Sequence, residues 1–421
     1  MKRTSKQVAV VIAITSLTFS MVTASISNAA PIAPKAAVSS GGTIKIGILH
    51  PFTGNYAGVG AASIAGAKVA AALINASGGI LGKKLVITTA DTLGDPADAV
   101  PALNKLLNID HVVAVVGPGG LEAGSTIPIL DRNKIPYMLQ SGNTKFDKMK
   151  DQYGFRVNPS DGQLSVAMAL FAIQQGYRKA AMVFSTIDSA QTLKPAVVST
   201  FTKLGGKIVV DVNLTPAQTS YSSEALKVSG ANPDVIFTQM EPPTGSVFFT
   251  AMEQTNGLTT PFVGSDITAG SDFVSAVTAA RATKVLYSIE GASVSGAATN
   301  AFNAEYKKIL KGAPLASASY AYDATILLAL AITQAKSTKG PLIAAAIMKV
   351  SNAPGVTVQT YAAGLKALKA GKKINYDGAS GPMDFDKYHN VFGPFEAVKS
   401  DASGNFVTFK TMTALELMKA S

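Results

Sequence analysis

The sequence contains no cysteine, no tryptophan and only three histidines among its 421 residues. The absence of cysteine excludes disulfides, thiolate metal sites, a cysteine nucleophile and a lipid-modified N-terminal cysteine. Charged residues make up only 15% and hydrophobic residues 47%, which is the composition of a folded chain and not of a disordered one. The chain is therefore long enough for two lobes of ordinary size and is limited to chemistry without thiols.

The motifs of common enzyme classes are also missing. The histidines, His50, His111 and His389, show no His-x-x-x-His spacing, and the sequence has no Gly-x-Ser-x-Gly elbow and no Walker loop. The glycine-rich turn at 78–82 follows a helical pattern and precedes a strand pattern, which is the reverse of the order in a dinucleotide-binding loop. We therefore predict no cofactor, no metal and no enzymatic activity. An exported hydrolase with an unrecognised pair of carboxylates is kept as an alternative.

The first 29 residues have the pattern of an export signal. Three basic residues precede an apolar stretch from Val8 to Leu17, and small residues follow at the cleavage positions. The alternative is a membrane anchor, which requires roughly 20 apolar residues, whereas threonines and serines interrupt this run. We predict a signal peptide over residues 1–29, a flexible leader over 30–42, and a protein exported to the periplasm or the exterior of the cell envelope. Without cysteine, it is not a lipoprotein.

The formal net charge is +11, but the basic residues are scattered as single residues and pairs such as Lys83-Lys84 and Lys372-Lys373. An exported protein rarely meets nucleic acid, so we predict no nucleic-acid partner. The lysines are interpreted as a solvated surface with a modest attraction for anions.

Strand and helix patterns alternate beyond the leader. Val112–Val116 is fully apolar, which is typical of a parallel sheet covered on both faces. Asp95-Pro96 has the pattern of a cap followed by proline at the first helical position. The alternation begins again after Asn158, so the sequence predicts two α/β lobes with parallel sheets. Helical patterns between residues 302 and 350 predict a strand-poor tail that packs against a lobe already built.

Four segments carry a resemblance to a known family. They are Ile-Gly-Ile-Leu-His-Pro-Phe-Thr-Gly at 46–54, Ala-Leu-Ile-Asn-Ala-Ser-Gly-Gly-Ile-Leu-Gly-Lys-Lys-Leu at 72–85, Val-Gly-Pro at 116–118, and Tyr-Asp-Gly-Ala-Ser-Gly-Pro-Met-Asp-Phe-Asp at 376–386. In this order and spacing, the chain resembles the type I periplasmic solute-binding proteins of branched-chain amino acid (Leu/Ile/Val-binding) ABC importers. The resemblance covers nearly all of the chain beyond the leader.

The resemblance implies two Rossmann-like lobes joined by three crossing strands, which close like a hinge over one small ligand. The two runs of alternating strand and helix and the helical segments that follow them predict an N-terminal lobe of residues 43–157 plus 290–386 and a C-terminal lobe of 158–289 plus 388–421. The expected partners are a small amino acid-like, polar or amphipathic solute and an ABC permease in the membrane, with the protein itself a monomer. A soluble ligand sensor that presents its closed form to a membrane receptor is the alternative with the same fold.

The family holds the carboxylate of its amino acid with backbone N–H groups and hydroxyls in two loops of the first lobe. The matching positions in this chain are Gly119, Gly120, Leu121 and Glu122 in one loop, and Gly142, Asn143 and Thr144 in the other. Thr144 matches a hydroxyl position. Leu121 and Glu122 replace the usual serines, so binding in the first loop would rest on backbone N–H groups.

The second lobe offers acidic candidates. Asp266 falls where the family pairs a carboxylate with the ligand ammonium, although aspartate is also favoured as a helix cap. Glu241 replaces an aromatic residue and is either a second partner for a cation or a solvated acid. Ser189 stands where the family often has tyrosine. Tyr56 and Tyr320 are the remaining aromatic candidates, each for ligand contact or for packing.

Overall fold

The computed structural model describes residues 41–421 apart from Asn55, Asp151, Ser293, Ser295 and Ala316. The predicted signal peptide, and the predicted leader as far as residue 40, lie outside the described residues. Both therefore remain predictions.

Strands and helices alternate in the first part of the described chain. In chain order, the elements are β1 (Thr43–His50), α1 (Ala57–Ala76), β2 (Lys84–Asp91), α2 (Pro96–Asn108), β3 (Ala114–Gly119), α3 (Ala123–Arg132), β4 (Tyr137–Gln140) and β5 (Gly154–Arg156). These strands form one sheet in the order β2-β1-β3-β4-β5, and every neighbouring pair is parallel. We call the part of the protein built on this sheet the first lobe.

Two details of the first lobe test the sequence patterns. The Asp95 carboxylate accepts a hydrogen bond from the Ala97 N–H at 2.6 Å, so the predicted cap of α2 is confirmed. The strand predicted at Val112–Val116 begins two residues later and continues to Gly119, because Gly119 still pairs with Gln140 of β4.

The alternation continues in the next part of the chain. Its elements are α4 (Asp161–Gln174), β6 (Lys179–Ser185), α5 (Asp188–Lys203), β7 (Lys207–Leu214), α6 (Ser222–Gly230), β8 (Val235–Gln239), α7 (Pro242–Asn256), β9 (Phe262–Gly264), α8 (Ser271–Val277), α9 (Ala279–Val285) and β10 (Leu286–Gly291). The five strands β6 to β10 pair in parallel in the order β10-β9-β8-β6-β7. The part of the protein built on them is the second lobe.

The last part of the chain contains more strands than expected. Its elements are α10 (Ala297–Leu310), α11 (Ala318–Ala335), α12 (Gly340–Ser351), β11 (Val356–Val358), α13 (Tyr361–Lys369), β12 (Ile374–Gly378), β13 (Gly381–Pro382), β14 (Phe395–Ser400), β15 (Phe406–Met412) and α14 (Ala414–Ala420). The helical patterns between residues 302 and 350 are confirmed by α10, α11 and α12, and the strands of this part that the sequence did not predict all lie after residue 350. β14 and β15 extend the second sheet with antiparallel pairs, and β11 to β13 form a small third sheet.

The chain passes between the two lobes three times. It leaves the first sheet after Arg156, leaves the second sheet after Gly291 for helices that pack on α1, and returns to the second sheet at Phe395. The first and third passages are paired, because the Arg156 N–H donates to the His389 carbonyl at 2.8 Å and the Val391 N–H donates to the Arg156 carbonyl at 3.3 Å. The α/β fold with parallel sheets predicted from the sequence is confirmed.

Each of the two large sheets is covered by an apolar core on both faces. In β6, for example, Met182 and Phe184 belong to one core cluster, whereas Ala181 and Val183 belong to another. α1 is long and apolar enough to cross a membrane by composition, but half of its residues are buried and it packs against α11. These are the properties of a core helix in an α/β lobe.

Candidate functional site

The loops that follow the parallel strands lie at the carboxyl edges of both sheets. In such sheets, ligands collect at this edge, where loops and helix N-termini expose N–H donors. The two lobes contribute to a cavity of about 270 Å³ next to the passages between them. Its lining includes Gly142 from the loop after β4, Asp161 at the start of α4, Asp266 from the loop after β9, Gly291 at the end of β10, and Tyr320 in α11. Gly142, Asp266 and Tyr320 are candidates from the sequence.

Asp161 is a site residue that the sequence did not single out. Its N–H donates to the Gly142 carbonyl at 2.7 Å, and its carboxylate packs so closely on Gly142 that an added Cβ there would lie 2.2 Å from Oδ1. Burial and the nearby negative charge of Asp266 raise the pKa of Asp161 from an ordinary 3.8 to about 6. The loop after β4 and the loop after β9 therefore meet around one carboxyl group.

Asp266 is the first residue of a short 3-10 helix, Asp266–Ala269, and its carboxylate accepts a hydrogen bond from the Ile267 N–H at 3.0 Å. The N-cap position belongs to Ser265, so Asp266 is not the cap residue considered in the sequence. Its side chain has an exposed surface, but desolvation by the surrounding protein raises the pKa of the carboxyl group. The group thus favours a positively charged partner.

A second cavity of about 580 Å³ adjoins the first and shares Asp266, Gly291 and Tyr320 with it. Glu290 also lines it, and the pKa of Glu290 is raised by burial and by the charges of Glu396 and Asp266. The two cavities together form a continuous cleft, which we call the interlobe cleft. Its wall carries the carboxyl groups of Asp161, Asp266 and Glu290.

The rest of the loop after β4 is held in place by its own hydrogen bonds. Asn143 caps a 3-10 helix, Thr144–Phe146, by accepting from the Lys145 N–H at 3.0 Å. The Asn143 N–H donates to the Ser141 hydroxyl at 3.2 Å. Behind the loop, the buried guanidinium of Arg156 donates to Asp147 at 2.8 Å. Thr144 is half-buried and starts the short helix.

Glu122 is buried beneath the loop after β3, with its side chain only 1% exposed. Its Oε1 lies 3.8 Å from Nδ1 of the fully buried His50 and 3.5 Å from the Thr92 hydroxyl. Burial raises the pKa of Glu122 and lowers that of His50 from 6.5 to about 4. His50 Nε2 is bonded to Gln140 Oε1 at 2.6 Å. The histidine is therefore part of a buried polar cluster, away from both cavities of the cleft.

Tyr56 and Leu121 form an exposed apolar rim on the first lobe. They are 50% and 45% exposed, and both approach Gly94, where an added Cβ would lie 3.0 Å from Tyr56 Cδ2 and 3.6 Å from Leu121 Cδ1. The neighbouring glycines of the same loop are tightly packed, since an added Cβ would lie 3.3 Å from His50 at Gly119 and 3.0 Å from the Ser141 hydroxyl at Gly120.

The remaining candidates lie at the carboxyl ends of β6 and β8. Ser189 is exposed in the first turn of α5, and its hydroxyl accepts a hydrogen bond from the Gln239 amide at 3.0 Å. Glu241 occupies the N-cap position of α7 without a side-chain cap bond, and its Oε2 is buried without a hydrogen-bond partner. None of the described residues forms a group of three or more His, Asp or Glu that could hold a metal ion.

Two α/β lobes that share a polar cleft, with the chain passing between them three times, define a solute-binding protein of the type I periplasmic class. Residues 43–405 match the periplasmic binding protein family, and the chain belongs to this family. The resemblance recognised in the sequence is confirmed, and the family is one of binding proteins and not of enzymes, in agreement with the sequence analysis.

Individual relatives were compared in sequence and in structure. An amino acid binding protein from Pseudomonas aeruginosa is 30% identical over 229 residues, which cover 53% of this chain and 60% of that protein. The match thus spans little more than half of the curated relative. The crystal structure of a leucine binding protein from Thermotoga maritima aligns with a TM-score of 0.67 at 21% identity. The alignment covers 88% of this chain and 99% of that protein. The structure of a solute-binding protein of an ABC transporter from R. palustris, in complex with benzoate, aligns with a TM-score of 0.64 at 17% identity. This alignment covers 88% of this chain and 96% of that protein.

Proposed function

We propose that the chain is the exported substrate-binding component of an ABC importer, which captures one small solute when its lobes close on it. The observation that carries this proposal is the interlobe cleft, in which Gly142 of the first lobe and Asp266 of the second lobe line the same cavity. A ligand that contacts both lobes binds fully only in the closed form, so ligand binding shifts the population towards closure. A permease in the membrane would then distinguish the closed protein from the open one.

We propose an amino acid-like ligand with an ammonium group near Asp161 and Asp266. Desolvation raises the pKa of both carboxyl groups, and an ammonium group beside them would stabilise their charged forms. The relatives named as amino acid and leucine binding proteins support this chemistry. The benzoate complex shows that a related fold also holds an acid without an amine.

The opposite end of the ligand, a carboxylate or carbonyl group, would be held by the first lobe. We propose the Thr144 hydroxyl and the backbone N–H groups of Gly120 and Leu121 as its donors, since the N–H groups of Gly119 and Glu122 donate to the Glu122 carboxylate. The Glu122 side chain lies under this loop beside His50, so its negative charge need not face a bound anion. Tyr56 and Leu121 would cover the apolar part of the ligand from the rim, opposite Ser189 and Glu241.

The proposal is tested with leucine and two fragments of it. The mature protein is screened by thermal shift and calorimetry with leucine, with 4-methylpentanoate, which lacks the amine, and with 3-methylbutylamine, which lacks the carboxylate. We expect leucine to raise the melting temperature more than either fragment, because a ligand bound only by the folded state stabilises it. Benzoate serves as a fourth compound. Stronger binding of benzoate or 4-methylpentanoate than of leucine would contradict the role of the ammonium group.

Asp266→Asn keeps the shape of the side chain and removes its charge. For leucine, we expect affinity to fall by about 1.5–3 kcal/mol, the usual size of a hydrogen bond to a charged group. For 4-methylpentanoate, the same variant should bind no more weakly than the wild type. Asp272→Asn, an exposed residue in the first turn of α8, is the matched control. An equal loss for both compounds would mean that Asp266 acts through structure and not through its charge.

We further propose that the protein works as a monomer without a nucleic-acid partner, in the periplasm or at the exterior of the envelope. The name of the family supports the extracytoplasmic location. The two rigid bodies of the closing motion would be residues 43–157 plus 290–386 and residues 158–289 plus 388–421. The three passages of the chain between the sheets support this division.

A further inference from the structure

A second concave site lies on the first lobe, away from the interlobe cleft. Two depressions of about 770 and 660 Å³ share Gln334, Lys336 and Leu368, so they form one continuous surface. We call it the basic groove. It includes the turn at 77–82, which leads into the first residue of β2. The groove therefore lies towards the amino edge of the first sheet, whereas the interlobe cleft lies at the carboxyl edge.

The groove is strongly basic. Five exposed lysines line it, and they are Lys336, Lys349, Lys369, Lys372 and Lys373. Among the described residues that line the two depressions, none is aspartate or glutamate. The sequence shows the same bias over a longer range, since residues 324–376 contain seven lysines and no acidic residue. Such a one-sided surface concentrates anions from solution.

Helix ends explain only part of this charge. Lys336 is the C-cap residue of α11, Lys349 lies in the last turn of α12 and Lys369 in the last turn of α13, where a cation is stabilised by the helix dipole. Lys372 and Lys373 lie beyond the end of α13, so no helix end accounts for them. The helix dipole also gives no reason for the absence of acidic residues across the whole stretch.

We propose that the basic groove binds a linear polyanion, a polymer of repeated phosphate groups in the space to which the protein is exported. Lysine is a flexible point charge, whereas arginine is the residue suited to planar, two-pronged recognition of one phosphate. A groove lined by lysines without arginine fits a series of charges along a chain better than a single fixed anion. The apolar floor, which includes Met348, Leu365 and Leu368, leaves the lysines as the principal polar contacts.

The position of the groove favours a polymer over a membrane surface. Under the proposed function, the interlobe cleft must face a permease that lies in the membrane. A lipid surface held against the amino edge of the first sheet would turn the cleft away from that permease. A polymer in the groove leaves the cleft free, so it would hold the protein near the site of transport without competing with the ligand.

The test uses long-chain inorganic polyphosphate as the probe and the mature protein as the binder. We expect saturable binding in a fluorescence anisotropy titration, weakened by added sodium chloride because polyanion binding releases counterions. Replacing Lys336, Lys349, Lys372 and Lys373 together by glutamine should weaken binding by about tenfold or more. Each lost contact between a lysine and a phosphate leaves a counterion on the polymer that binding would otherwise release. These side chains are exposed, so the variant is expected to keep the circular dichroism spectrum of the wild type.

The matched control replaces four exposed lysines outside the groove, Lys148, Lys150, Lys207 and Lys419, by glutamine. It has the same net charge as the groove variant and should keep most of the affinity for polyphosphate. Equal losses in both variants would show attraction by net charge alone and would overturn the proposal. Absence of binding, or binding to phosphatidylcholine vesicles that contain phosphatidylglycerol but not to polyphosphate, would also overturn it. No cleft ligand is involved, so failure here leaves the proposed transport function untouched.

Discussion

The carboxyl group of Asp161 joins the two sides of the interlobe cleft, because it packs on Gly142 and senses the charge of Asp266. A carboxyl group whose folded pKa is raised binds more protons in the folded state than in the unfolded state. Its contribution to stability therefore falls as the pH rises from 3.8 to about 6. Asp161→Asn removes this dependence. The free energy of unfolding of the variant minus that of the wild type should therefore increase as the pH rises over that interval.

This prediction is checked by urea denaturation of both proteins at several pH values between 4 and 7. Using the difference between variant and wild type cancels the opposite effect of buried His50, whose lowered pKa costs stability as the pH falls below 6.5. Asp188→Asn, an exposed residue at the start of α5, is the control and should show a constant difference. A constant difference for Asp161→Asn as well would contradict a raised pKa.

We predict opposite effects on ligand affinity for substitutions of Thr144 and Glu122, which lie in the two loops of the first lobe. Thr144→Val should weaken leucine binding by about 1–3 kcal/mol, because it leaves a ligand acceptor without its donor. Glu122→Gln should leave the affinity unchanged or increase it, because the amide oxygen can still accept from the backbone N–H groups of Gly119 and Glu122 while the negative charge near the proposed carboxylate site is removed. Calorimetry on both variants distinguishes the two roles. Loss of binding in Glu122→Gln together with no effect of Thr144→Val would contradict the proposed site for the ligand carboxylate.

Part of the site could be predicted at the level of residues. Gly142 and Asp266 follow strands of different lobes, and the position of a loop in an α/β sheet is fixed by strand order. Asp161 has the sequence pattern of a helix start, and only the packing of α4 on the loop after β4 places it in the cleft. Glu290 is the penultimate residue of β10, which pairs with β14 far away in the chain, so no local pattern could predict its position.

At the level of elements, the contact between α1 and α11 depends on one glycine. An added Cβ at Gly66 would lie 2.0 Å from the Ala318 carbonyl oxygen, which is backbone and cannot move independently. Gly66→Ala should therefore destabilise the protein by about 1–3 kcal/mol through overpacking. Gly58→Ala in the same helix meets nothing within 4 Å and should be neutral or stabilise by up to about 1 kcal/mol. Chemical denaturation compares the two, and equal stabilities would contradict the close approach of the helices.

The elements that were predicted and those that were missed differ in their pattern. β3 and β6 are buried on both faces and give continuous apolar runs, which are visible without any knowledge of their neighbours. β15 is an edge strand with exposed Val407 and Phe409, so its apolar residues do not mark a buried face. Its partner β14 is also defined by pairing with distant residues, and such pairing leaves little trace in a local pattern.

At the scale of the whole molecule, we predict closure as a motion of two rigid bodies. Small-angle scattering should show a smaller radius of gyration with saturating leucine than without it, because the cleft loses its open volume. Structures of both forms should superpose within residues 43–157 plus 290–386 and, separately, within 158–289 plus 388–421. Changes of backbone torsion should be confined to the three passages near 157, 290 and 387. An unchanged radius of gyration on binding would contradict the hinge.

The order of the chain also has a consequence for how the protein folds. The strands of the first sheet are complete at Arg156, but α11, which packs against α1 and contacts β3 in the same apolar core, follows the whole run of strands from β6 to β10. Contacts between such distant segments carry a large loop-closure entropy and slow the folding reaction. Until Ala318–Ala335 is available, the apolar surfaces of α1 and β3 that it covers remain open to association with other chains. A chain interrupted before α11 is therefore expected to need a holding chaperone, whereas the parallel strands of the second lobe form from one continuous segment.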